Sequence, residues 1–104
     1  MAREIPWPHP GEILLHDYLE PKGINPYALA KAIGVPPRRI NEIVRGLRGI
    51  TVDMALRLAV FFGTDAQSWI HLQTDHDLTL ARQDMADVLA SIQRHSVAAE
   101  THSA

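Results

Sequence analysis

The 104-residue sequence contains no cysteine. That absence excludes a disulfide framework and a thiolate zinc site, and it suits a reducing compartment. Long apolar runs are missing as well: the longest stretch, 55–63, is broken by Arg57 and falls far short of the roughly 20 residues of a membrane-spanning helix. The opening "MAREIPWPHPGE" has no signal-peptide apolar core, so nothing predicts export or anchoring, and a cytoplasmic location is expected. There is no strand-like alternation of useful length and no internal repeat, and the tail "HSVAAETHSA" alone looks low in complexity. Catalytic signatures are absent too. HExxH, a glycine-rich phosphate loop, a Ser/His/Asp arrangement and a pair of carboxylates in an evident cleft are all missing, so no enzyme and no cofactor is expected. Six histidines invite a metal reading, but His71 and His76, five apart, share one helical face poorly even with Asp75 between them, and no metal site is expected. His9 and His16 read as a cap or as surface residues.

What is present is an ordinary globular mix, 46% hydrophobic and 21% charged, in a length that suits one domain. The net charge of −2 conceals an asymmetry. Residues 22–57 carry seven Lys/Arg against Glu42 and Asp53, a balance of +5, while 1–21 sum to −3 and 58–104 to −4. A basic middle between acidic ends suits either a surface that faces a polyanion or a merely solvated face.

Proline, glycine and capping residues cut the chain into short helices. Pro6, Pro8 and Pro10 predict an extended arm, after which Ile13, Leu14, Leu15, Tyr18 and Leu19 form a helical stripe ended near Pro21 and Gly23. Asn25 caps a second helix that has Pro26 at its first position and stops at Gly34. A third starts at the prolines of "PPRRINEIVRG", with Ile40, Ile43 and Val44 facing inward. Thr51 caps a fourth, in which Met54, Leu58, Phe61 and Phe62 recur at helical spacing and read as core. Asp65 caps the segment from Ala66, expected to be interrupted around 75–77 and carrying an apolar series through Leu78, Ala81, Met85, Val88, Leu89 and Ile92. The fold class expected is all-α.

Two short helices joined by a tight turn, the second basic and polar on one side, predict a helix-turn-helix. Ala28, Ala30 and Ala32 permit close approach of the two helices, and Gly34 supplies the left-handed residue of the turn. On the third helix Pro37, Arg38, Arg39, Asn41, Glu42 and Arg45 are not needed for the core and are expected to face DNA. A major groove about 12 Å wide admits one helix, whose leading residues reach base edges. Arg38 is placed to bridge guanine O6 and N7. Glu42, one turn on, is suited either to accept from cytosine N4 or to orient Arg38. Asn41 and Arg39 are candidates for base or phosphate contact, Arg45 and Arg48 for phosphate clamps, Asn25 and Tyr27 for the opposite phosphate wall, and Lys31 is also expected to bind DNA.

The stretch from "HPGEIL" to "LTLAR" closely resembles the HigA-type antitoxins, compact members of the Xre or phage-repressor-like helix-turn-helix superfamily. The blocks that carry the resemblance are "HPGEIL", "PPRRINEIVRG", "RGIT" leading into "ALRLA", and "FGT" followed by "WIHLQ". It implies a compact five-helix domain. It also implies a HigB-type partner, a small ribosome-dependent mRNA interferase encoded alongside and neutralised by binding, and repression of the shared promoter by a homodimer. The resemblance ends near Arg82, so the C-terminal helical extension inherits no role. A stand-alone helix-turn-helix regulator with no toxin would use the same DNA-binding residues.

Residues 1–94 are expected to form one domain and 95–104 a disordered tail. Trp69, Leu72, Leu78, Ala81 and Met85 are the residues expected at a dimer interface, since a late amphipathic helix in a small domain often buries its stripe against a second copy. Such a dimer would read a palindromic operator in double-stranded DNA with two recognition helices roughly 34 Å apart.

Overall fold

His9 opens the first helix by accepting the Gly11 N–H on its Nδ1 at 2.9 Å. The computed structural model, which describes residues 7–95, continues from there through six helices, with no strand among the described residues. The first, α1, runs Pro10–Ile13, passes through a π-helical stretch Leu14–Leu19 and closes with the turn Glu20–Lys22. Within the π stretch the Glu20 N–H bonds Leu15 O, one residue further back than in an α-helix. That wider turn stacks residues five apart, which is why Leu14 and Leu19 are both fully buried although α-helical spacing would splay them.

Asn25 caps α2, Pro26–Ile33, and its Oδ1 accepts the Ala28 N–H at 2.7 Å. Helix α3, Pro37–Val44, begins where Pro36 and Pro37 preset the backbone. Thr51 caps α4, Val52–Phe62, and Asp65 caps α5, Ala66–Asp84. A short α6, Ala86–Ser91, completes the described helices. Leu29, Ala30, Ile40, Ile43, Met54, Ala55, Leu58 and Trp69 close on the two leucines of α1 in a single core. Full burial of each large aliphatic side chain contributes about 1.5–3 kcal/mol.

Several expectations change on contact with the tertiary structure. Helix α5 is not interrupted around 75–77: Gln73 Nε2 donates to Asp77 Oδ1 at 3.0 Å, and Thr79 Oγ1 donates back to Asp75 O at 2.9 Å. The break falls instead at Met85. Phe61 is 39% exposed, and only Phe62 of that pair packs on the core, beside Tyr18 and Trp69. Of the three alanines on α2 only Ala30 is buried at the crossing; Ala28 and Ala32 face solvent. Trp69, expected at a dimer interface, is 2% exposed and donates from Nε1 to Thr64 Oγ1 at 2.9 Å. It is spent on the chain's own core and has no surface to offer a second copy. Leu72 is half-buried against the same core. Pro10 sits inside α1 rather than in an extended arm. Pro6 and, apart from His95, the expected tail lie outside the described residues.

Candidate nucleic-acid interface

The turn between α2 and α3 is set by Gly34, in the left-handed region at φ 77° and ψ 38°. A side chain there would cost roughly 1–2 kcal/mol. Val35 is then buried and Pro36 leads into α3. Because Ile40 and Ile43 are committed to the core, the opposite side of α3 has to face out. Pro37, Arg38, Asn41 and Arg45 are exposed there, while Arg39 and Glu42 are half-buried. On α2, Tyr27 and Lys31 are exposed and flank the same turn, and the Asn25 amide N–H2 remains free to donate beyond its capping oxygen.

Arg38, Glu42 and Arg48 form one cluster. Arg48 Nε donates to Glu42 Oε1 at 2.8 Å, and Arg38 Nε lies 3.9 Å from Glu42 Oε2 with its side chain 87% exposed. The hydrogen bond from Arg48, joined by the charges of Arg38 and Arg39, holds Glu42 below the ordinary carboxylate value. An anionic Glu42 on this cationic face is an acceptor among donors and repels other anions. Arg48 is thus not a free clamp in the unbound protein; it is the hinge of Glu42.

Three residues that build this face were not singled out for it in the sequence. Arg57, counted there only as basic charge, donates from Nη1 to Ile33 O at 2.6 Å and Gly34 O at 3.4 Å, while its Nε donates to Asp53 Oδ1 at 2.7 Å. It closes the carbonyl end of α2, where four acceptors lack helical partners and a cation is favoured. Its one sequence signal is the i,i+4 spacing to Asp53. Gln73 Oε1 accepts the Ile50 N–H at 2.7 Å and so ties the loop after α3 to α5, across a separation of 23 residues that no local pattern announces. Gly11 lies in the first turn of α1, where a Cβ would land on the Ile43 carbonyl oxygen and beside Val44 Cα at 3.0 Å. Only glycine lets α1 abut the end of α3.

This geometry, a capped short helix, a left-handed glycine turn and a second helix with a polar cationic outer side, matches a helix-turn-helix family model over residues 15–69. The chain belongs to the helix-turn-helix family. Virulence-associated protein I of Dichelobacter nodosus is 58% identical over 82% of this chain and 79% of that protein. Among solved structures, the Pseudomonas aeruginosa antitoxin HigA with the higBA promoter superposes with a TM-score of 0.83 at 40% identity, over 86% of this chain and 99% of that one. The antitoxin GraA in complex with its operator gives 0.85 at 38% identity, over 93% and 98%. Within the helix-turn-helix family the chain groups with HigA-type antitoxins, DNA-binding proteins rather than enzymes. No helix among the described residues is long and apolar enough to cross a membrane.

Proposed function

We propose that this chain is a cytoplasmic antitoxin. As a homodimer it binds a palindromic operator in its own promoter through α3, and it neutralises a small HigB-type mRNA interferase encoded beside it. The observation that carries this reading is the outward face of α3, cationic and cleared of core duty, in a chain this similar to antitoxins solved on operator DNA. Arg38 reads guanine, with Glu42, Asn41 and Arg39 beside it. Pro37 starts the helix at the groove, Arg45 holds phosphate, Arg48 joins it by leaving Glu42 when DNA binds, and Asn25, Tyr27 and Lys31 meet the other wall.

Dimerisation uses the C-terminal half of α5 through to Met85. Leu78 and Met85, 44% and 42% exposed, share a helical face with the half-buried Ala81, an apolar stripe that the described residues leave partly open. The acidic blocks outside residues 22–57 keep DNA on one side and offer a negative surface that steers a basic toxin. An acidic toxin, or one bound through the arginine face, would contradict that steering role.

Co-expression with the adjacent reading frame, scored by growth rescue and co-purification, together with binding to the chain's own promoter, tests the whole reading. Rescue, a stable complex and promoter binding support it. Promoter binding with neither growth arrest nor complex would replace it with a stand-alone regulator.

A further inference from the structure

His9 sits where three elements meet. Its Nδ1 accepts the Gly11 N–H at the start of α1, at 2.9 Å. Gly11 itself presses on the Ile43 carbonyl and Val44 at the end of α3. Gly46, just beyond α3, is close enough that a Cβ built on it would stand 3.9 Å from His9 Cγ. From the third side, α5 sets the His76 ring edge-on to His9 with centroids 5.1 Å apart.

The hydrogen bonds fix the tautomers. An Nδ1 that accepts from an amide carries no proton, so a capping His9 is neutral and protonated on Nε2. His76 Nδ1 faces the Trp7 carbonyl, an acceptor, at 2.6 Å, so His76 donates there and ties the segment preceding His9 to α5. A proton added to His9 Nδ1 would set two N–H groups against each other and abolish the cap.

We propose that His9 is an acid-sensitive positioning residue for the recognition helix: neutral, it caps α1 against the end of α3; protonated, it releases that contact and weakens operator binding. The inference rests on the DNA-binding reading above. Among the described residues, the charged and titratable groups facing His9 are His76 and Asp77 from α5 and Glu12 from α1. Burial first, and then His76, hold His9 below its ordinary value of 6.5, against the opposing pull of Asp77 and Glu12. Neutral capping is therefore the resting state at pH 7.5, and release belongs to mildly acid conditions.

The direction of the effect is diagnostic. Protonating histidines adds positive charge, which on general electrostatic grounds tightens binding to DNA as pH falls. The latch predicts the reverse. Operator affinity of the full chain is measured by fluorescence anisotropy at pH 7.5 and 5.5 and fixed ionic strength, for wild type, His9→Asn and His9→Ala. Asparagine keeps an N-cap acceptor but cannot titrate. Wild type should lose affinity on acidification, by at most about fivefold, the order of one N-cap. His9→Asn should hold or gain affinity, and His9→Ala should be weakened already at pH 7.5 with no further loss. Wild-type binding that is flat or tighter at pH 5.5, or an equal loss in His9→Asn, overturns the latch while leaving DNA binding intact. No operator binding by wild type at pH 7.5 overturns both readings.

Discussion

Gly11→Ala offers a sharp opposition between local and tertiary effects. In the first turn of a helix, alanine is the better helix former by about 1 kcal/mol, so propensity alone predicts stabilisation. The structure predicts the opposite, because the new methyl would fall on the Ile43 carbonyl oxygen, with Ile43 C and Val44 Cα also within about 3 Å. Both sides of that contact are backbone, so no side chain can swing clear and the helices must part. Overpacking of a well-packed contact costs about 1–3 kcal/mol, and a backbone clash belongs at the upper end. Against the propensity gain, the net loss is about 2 kcal/mol, or about 10 °C in Tm for a domain of this size. Gly23→Ala supplies the comparison. Gly23 has φ 66° and nothing within 4 Å of a built Cβ, so its cost is only the left-handed backbone, about 1 kcal/mol. Urea denaturation of both variants should therefore rank Gly11→Ala below Gly23→Ala, with operator binding reduced further in the former because α3 has shifted. A Gly11→Ala chain as stable as wild type would mean that α1 and α3 do not meet as described.

Other outcomes rest on the same contacts. Arg38→Ala should cost about 1–3 kcal/mol on the operator and relax preference at one base pair, whereas Arg48→Ala should weaken operator and random DNA alike and lower the salt slope by about one; equal losses on both DNAs for both variants would remove the assigned roles. Arg57→Ala leaves the Ile33 and Gly34 carbonyls without their guanidinium and should lower stability by about 1 kcal/mol, read as the urea midpoint at constant m-value. Leu78→Asp should convert the dimer to monomer on sizing with light scattering and abolish cooperative operator binding; an unchanged dimer would move the interface elsewhere. For His9, the folded state binds its proton more weakly than the unfolded chain, so its contribution to stability is complete above about pH 6.5 and declines below it. The urea midpoint of wild type should fall between pH 6.5 and 5.5 by more than that of His9→Asn.

The helix ends were legible because their signals are local. Asn25, Thr51 and Asp65 cap through bonds to N–H groups three residues on, and Gly34 adopts the left-handed stop. The same holds for the outward face of α3, since Ile40 and Ile43 inward at spacing three oblige Arg38, Asn41 and Arg45 to point away. Where partners lie far apart in sequence, the pattern was silent or misleading. Trp69 looks like an interface aromatic until Thr64 and the core claim it, and Asp75–Asp77 looks like a break until Gln73 and Thr79 bridge it.

The sequence by itself therefore determined an all-α chain, the boundaries of α2, α3 and α4 to within a turn, and which helix carries the cationic face, because capping, periodicity and charge act over a few residues. Only the tertiary structure decided which of those charges are free. It turned Arg57 into a clamp on α2, joined Arg48 to Glu42, and set His9 and Gly11 against the end of α3. Those assignments depend on distances between helices, and no periodicity along one chain encodes the packing that brings such groups to 3 Å.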